Sequence, residues 1–179
     1  LFERCHGREA RPSDIGSYMS HLGALEMFLN SGEEFGLIME DDAILDGRAA
    51  QVLALLTADD APRDWDFIKL QSRRNTRTVP IRKLDETYSL AVSFTRSTGA
   101  TAYLVNRKGA QAMVDRLQRV EAPFDHTFDR PMYLGIRSRE LVPYPVALAE
   151  EAGTTTIAPH KNEKAKGPTK PPAPWWRTK

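Results

Sequence analysis

The chain has a single cysteine, Cys5, so neither an internal disulfide framework nor a cysteine-based zinc site can form. That usage suits a reducing, cytosolic compartment. No run approaches the roughly 18 apolar residues needed to span a bilayer, and no signal-peptide pattern opens the chain. An excess of charge of either sign is also lacking. The 25 Lys and Arg nearly balance 24 Asp and Glu, leaving a formal net charge of +1. The global balance therefore draws no nucleic acid, and any electrostatic partner must be recognised locally. A Gly-rich phosphate loop of the Walker type is missing, which weighs against phosphoryl transfer by that route. There is no internal repeat. The sequence begins at Leu1 rather than Met, as expected of a fragment or a processed chain.

What is present is globular: 179 residues, 41% hydrophobic and 27% charged. Residues Leu1 to Pro12 read as a polar loop. Ser13 is placed as a helix N-cap, with Asp14 favouring the positive helix end. Ile15, Tyr18 or Met19, Leu22, Leu25 and Leu29 recur at helical spacing, and Asn30-Ser31-Gly32 stops the helix. The apolar run Phe35 to Met39 suits a central strand covered on both faces. Ala49 to Leu56 resumes a helical pattern, and Phe67 to Leu70 reads as another strand. The basic stretch Arg73 to Leu84 reads as a loop or irregular hairpin. Thr101 to Val105 is a strand, turned by Asn106-Arg107 into a helix with an Ala110, Met113, Val114, Leu117 stripe. Alternating strands and helices predict an α/β domain over residues 1–160. Residues 161–179 form a separate tail with four prolines, Trp175-Trp176 and a local net charge of +5, a composition that cannot build a core.

Glu40, Asp41 and Asp42 directly follow the Phe35–Met39 strand. Ligands of α/β sheets bind outside the carboxyl ends of strands. In an extended segment the side chains of Glu40 and Asp42 share one side while Asp41 faces away. Two hard oxygen ligands suit Mg²⁺ or Mn²⁺, and a cation relieves the mutual repulsion of three carboxylates. A solvated acidic turn that merely ends a strand is the competing reading.

The segments Ile15-Gly16-Ser17-Tyr18-Met19-Ser20-His21 and Gly36-Leu37-Ile38-Met39-Glu40-Asp41-Asp42-Ala43 resemble glycosyltransferase family 25. That family includes lipooligosaccharide and collagen galactosyltransferases. Three more stretches are similar to it: Asp64-Trp65-Asp66 with Leu70, Thr98-Gly99 with Ala102-Tyr103, and Pro123-Phe124-Asp125-His126. Together they span about residues 13 to 157. Ser17 stands where the family usually has Cys, and the family's first strand–helix unit has no counterpart in this sequence.

The resemblance implies a mixed sheet flanked by helices, of the GT-A or Rossmann-like kind. It implies an inverting transfer from a nucleotide-diphosphate donor, UDP-galactose, to a saccharide acceptor in bacterial lipopolysaccharide synthesis. Glu40 and Asp42 become the Mn²⁺ or Mg²⁺ ligands. Ser20, His21, Glu40, Asp41, Thr98 and Gly99 become substrate contacts. Asp125, tuned by His126, becomes the base. For each a plainer role stays open: a satisfied buried His21, a turn at Gly99, a helix cap at Asp125. Arg73, Arg74 and Arg77 are candidates for phosphate or anionic-acceptor contacts. The tail, basic and tryptophan-bearing, either holds the protein weakly on the inner leaflet of the membrane or is a disordered segment whose tryptophans pack back onto the domain. The alternative function is a degenerate relative that binds a sugar or a partner without catalysis.

Overall fold

The computed structural model describes residues 2–74, 76–127 and 130–149. The tail at 161–179 lies outside these, as does Asp129. The chain opens on a short helix, α1 (Phe2–His6), where composition suggests a loop. The turn forms because Phe2 is buried and its ring meets His6 edge-on at 5.2 Å. Helix α2 (Pro12–Ser31) follows. Pro12 opens it, since the missing N–H would be unpaired there anyway. The N-cap is Arg11 rather than Ser13, and Asp14, inside the first turn, reaches back to it: its carboxylate accepts the Arg11 backbone N–H at 2.8 Å and the Arg8 guanidinium at 2.6 and 2.9 Å. Gly32, at φ +83°, ends the helix. The inward face carries Tyr18, His21, Leu22, Leu25 and Phe28, while Ile15 and Met19 remain 43% and 56% exposed. The buried stripe is therefore rotated from the one that spacing suggests, and it brings a histidine inside.

Strand β1 (Phe35–Met39) leads through a turn into β2 (Ala43–Leu45) and helix α3 (Ala49–Thr57). Strands β3 (Phe67–Lys69), β4 (Thr78–Lys83), β5 (Ser89–Ser93) and β6 (Ala102–Asn106) come next, then helices α4 (Arg107–Arg116), α5 (Phe124–Thr127) and α6 (Pro131–Leu134). The described part ends on β7 (Ser138–Val142) and β8 (Val146–Leu148). Asn106 caps α4 by accepting the Gly109 N–H at 2.8 Å. The basic stretch is an irregular hairpin: β4 and β5 pair antiparallel with a register shift between Pro80 and Arg82.

Six strands form one sheet in the order β1-β6-β3-β7-β5-β4, and β2 pairs with β8 in a small second sheet. In the large sheet β3 and β7 run parallel, and every other neighbouring pair is antiparallel. The result is a mixed sheet flanked by helices, the architecture expected. β1 departs from expectation, because it lies at the edge with β6 as its strand partner in this sheet. Leu37 and Met39 stay partly exposed there. A short apolar run cannot by itself distinguish a central strand from an edge strand whose inner face alone is covered.

The central strands show why the sheet is two-faced. Phe67, Tyr103 and Val105 join Tyr18, Leu22, Leu25, Met113 and Phe124 in one core. Their chain neighbours Ile68, Ala102 and Leu104 join Val52, Leu56, Trp65, Leu90 and Leu141 in the other. Successive side chains on a strand point to opposite faces, so apolar residues follow one another along β3 and β6 up to their polar last residues, Lys69 and Asn106.

Candidate active site at the strand ends

β1 stops at Met39, and the Glu40 N–H donates to the Thr101 carbonyl at 2.8 Å. The chain then turns, the Ala43 N–H donating to the Glu40 carbonyl at 3.2 Å. The extended alternation that would set Glu40 and Asp42 on one side thus ends at Glu40. What couples them is proximity in the turn. Burial raises the Asp42 pKa, and the Glu40 charge raises it further, more than Asp41 does, while Arg73 opposes.

Glu40 is held from two directions. Its Oε1 lies 3.5 Å from His21 Nε2, and its Oε2 accepts the Thr101 hydroxyl at 3.2 Å. The His21 contact lowers its pKa most; burial pushes the other way, and Thr101 and Arg73 lower it further. His21 is buried, its Nδ1 is 3.1 Å from the Tyr103 hydroxyl, and its ring stacks on Phe124 with centroids 4.4 Å apart. Burial, then the Glu40 charge, raises the Tyr103 pKa well above its ordinary value. Tyr103, His21 and Glu40 form a continuous chain from the core to the surface. It fixes the carboxylate.

Gly99 sits at φ +100°, a conformation that L side chains rarely adopt. A Cβ there would lie 3.0 Å from Gln71 Oε1 and 3.1 Å from Arg73 Cγ. Its N–H donates to Asp125 Oδ2 at 3.0 Å. Asp125 therefore caps the Gly99 backbone, and its Oδ1 lies 4.0 Å from His126 Nε2.

Glu40, Arg73, Gly99 and Asp125 line one open cleft together with Ser13, Asp14, Ser17 and Phe124. Its empty space, mouth included, is about 490 Å³. Of the contact candidates singled out from sequence, this cleft collects Glu40, Arg73, Gly99 and Asp125. His21 stands behind Glu40. Thr98 is buried beside Gly99 and does not line the cleft, nor do Asp41, which is exposed, and Asp42. Ser20 is exposed on another side of α2 and does not line the cleft. Ser17 takes the place expected of it, because Ser13, Ser17 and His21 follow one another at four-residue steps along a single helix face. Arg74 and Arg77 do not reach the cleft, whereas Arg73 does.

Among the described residues no group of three or more His, Cys, Asp or Glu is arranged to hold a metal ion. The carboxylates that would have to serve as donors are Glu40 and Asp42. Asp42 Oδ1 is buried without a hydrogen-bond partner. Two hard oxygens and an unsatisfied buried carboxylate atom fit an ion that takes its remaining ligands from phosphate and water, as Mg²⁺ does.

A cleft at the strand ends of a mixed α/β sheet is where such folds bind ligands. A family model described as glycosyltransferase family 25 (LPS biosynthesis protein) matches residues 3–128. The chain belongs to that family, and so to the glycosyltransferases of lipopolysaccharide biosynthesis. The match begins ten residues earlier than the motifs suggest and stops before β7. A search of curated proteins returned no match. The mixed sheet agrees with a GT-A-like fold, and among the described residues no helix is long and apolar enough to cross a membrane.

Proposed function

We propose that the cleft binds UDP-galactose and transfers its sugar, with inversion, to a hydroxyl of a lipopolysaccharide-core saccharide. The observation that carries this reading is the convergence of Glu40, Arg73, Gly99 and Asp125 on one cleft from four separate segments. Glu40 and Asp42 would hold Mn²⁺ or Mg²⁺, whose chemistry when bound is Lewis-acid neutralisation of the departing diphosphate. Arg73 adds positive charge to the same wall. Asp125 takes the proton from the acceptor hydroxyl as its oxygen attacks the anomeric carbon and the bond to the diphosphate breaks. The Gly99 N–H holds Asp125 in place for that task.

Calorimetric titration of the full-length protein with UDP, with and without manganese, tests the donor site. Binding should need the metal, and Asp42→Asn should abolish the metal-dependent binding while the folded state persists. Manganese-independent UDP binding of equal strength in both proteins would remove the metal role.

Location at the inner leaflet belongs to the same proposal and rests on the composition of residues 161–179. Co-sedimentation with anionic vesicles should fall when that tail is deleted, and again in high salt. A full-length protein that ignores such vesicles at low salt would end the idea.

A further inference from the structure

The segment between β5 and β6 is irregular, yet Ser97 to Thr101 are all buried. Buried backbone groups outside helices and strands need partners of their own. Here the Thr98 carbonyl accepts the Arg73 N–H at 3.1 Å, and the Ser97 carbonyl accepts the Lys69 ammonium at 2.5 Å. The Ser97 and Ser72 hydroxyls, 3.4 Å apart, tie the same two segments together. Lys69 ends β3 and is only 2% exposed. Burying an ammonium costs more than burying an apolar chain of that length, but an apolar chain would take this donor from the Ser97 carbonyl.

The sheet register supplies a second observation. Lys69 pairs with Tyr103 of β6 on one side and with Glu140 of β7 on the other, so the three side chains stand in one row on one face. Glu140 is itself buried and accepts the Tyr144 hydroxyl. From this row Tyr103 leads through His21 to Glu40. Lys69 leads through Ser97 to Gly99, two residues on, whose N–H donates to Asp125 Oδ2 at 3.0 Å. One row of buried polar side chains thus stands behind both carboxylates of the cleft.

We infer that Lys69 is a positioning residue for the transfer: its ammonium fixes the Ser97 carbonyl, and thereby the Gly99 N–H that aims Asp125. The link to turnover rests on the transferase reading above. The link to Gly99 does not.

Full-length wild type, Lys69→Met and Lys69→Met/Glu140→Gln would be compared by NMR and by galactose transfer in manganese. Methionine keeps the length and drops the ammonium, and the double variant also neutralises the buried carboxylate paired with it in register. In both variants the Gly99 amide proton should move upfield and exchange faster. The Gly109 amide, bonded to Asn106 at 2.8 Å where α4 begins, should stay unchanged. Turnover should fall about 10- to 100-fold with UDP affinity unchanged, the loss expected when a reacting group is misplaced by about 1 Å. A Gly99 amide or a turnover equal to wild type in the folded variants would overturn the positioning role. So would a change spread equally to Gly109, or a failure of both variants to fold, since either makes Lys69 structural alone. If the wild type transfers no galactose, the transferase reading falls, and the Gly99 amide alone decides the link from Lys69 to Asp125.

Discussion

His21 has its imidazole between the Tyr103 hydroxyl and Glu40 and flat against Phe124, so one residue serves packing and positioning together. The two jobs can be separated. His21→Phe keeps an aromatic ring for the stack but loses both polar links. It should leave UDP binding in manganese about 10- to 100-fold weaker, the usual loss when the residue orienting a metal ligand is removed. Calorimetry against the wild type reads this, and unchanged affinity would return His21 to a packing role alone. Asp66 is a purely structural carboxylate by comparison. It is fully buried, and burial alone would raise its pKa. Hydrogen bonds from the Arg137 side chain and backbone and from Lys108 outweigh burial and hold it at about 2. Its folded pKa is thus below the unfolded value of 3.8. The stabilisation is complete above pH 3.8, where the unfolded state also carries the charge, and is lost as pH falls toward 2. A shift of this size is worth about 2 kcal/mol. Denaturant melts of wild type and Asp66→Asn between pH 5 and pH 2 should converge at the acid end. These roles differ in legibility. Glu40 and Asp125 could be named from short motifs because acids beside a strand end or a proline are local features. His21 and Gly99 could be named from the same motifs, but not their pairing with Glu40 and Asp125, 19 and 26 residues away, nor the Tyr103 contact to His21 across 82 residues, because no spacing reveals these bonds.

Among the elements, α4 is the one whose sequence and position explain each other most fully. Asn106 caps it, Ala110 and Met113 bury its inner face, and Gly109 lies against the β3 entry. A Cβ on Gly109 would stand 2.1 Å from the Asp66 carbonyl oxygen, a backbone atom that cannot swing aside. Gly109→Ala should therefore destabilise the protein by about 1–3 kcal/mol through overpacking. The denaturation midpoint measures this, and a midpoint equal to wild type would contradict the packing. Elements with a clean period and flanking signals, α2, α3, β3, β6 and α4, were readable. The strands β2, β5, β7 and β8 were not, because they owe their form to pairing partners distant in the chain. α1 was missed for a related reason: it forms around one buried ring, Phe2, rather than around an amphipathic pattern.

At the scale of the whole molecule the cleft exists only because α2, the ends of β1 and β3, the segment before β6 and α5 converge, and none of these contains the site by itself. The sheet order that interposes β6 between β1 and β3 brings Thr101 to Glu40 and Gly99 to Asp125 at once. Sequence motifs in the right order pointed to this family without that order of strands, since motif order survives where pairing is invisible. The central claim, that this assembled cleft transfers a sugar with Asp125 as base, is tested most directly by one kinetic comparison. Full-length wild type and Asp125→Asn would be assayed for galactose transfer from UDP-galactose to a core oligosaccharide in manganese, with UDP affinity measured alongside. The account predicts turnover lower by about 10²- to 10⁴-fold in the variant with donor affinity unchanged, as expected of a group acting only in the transition state. Equal turnover, or a loss explained entirely by a less stable fold, would contradict it.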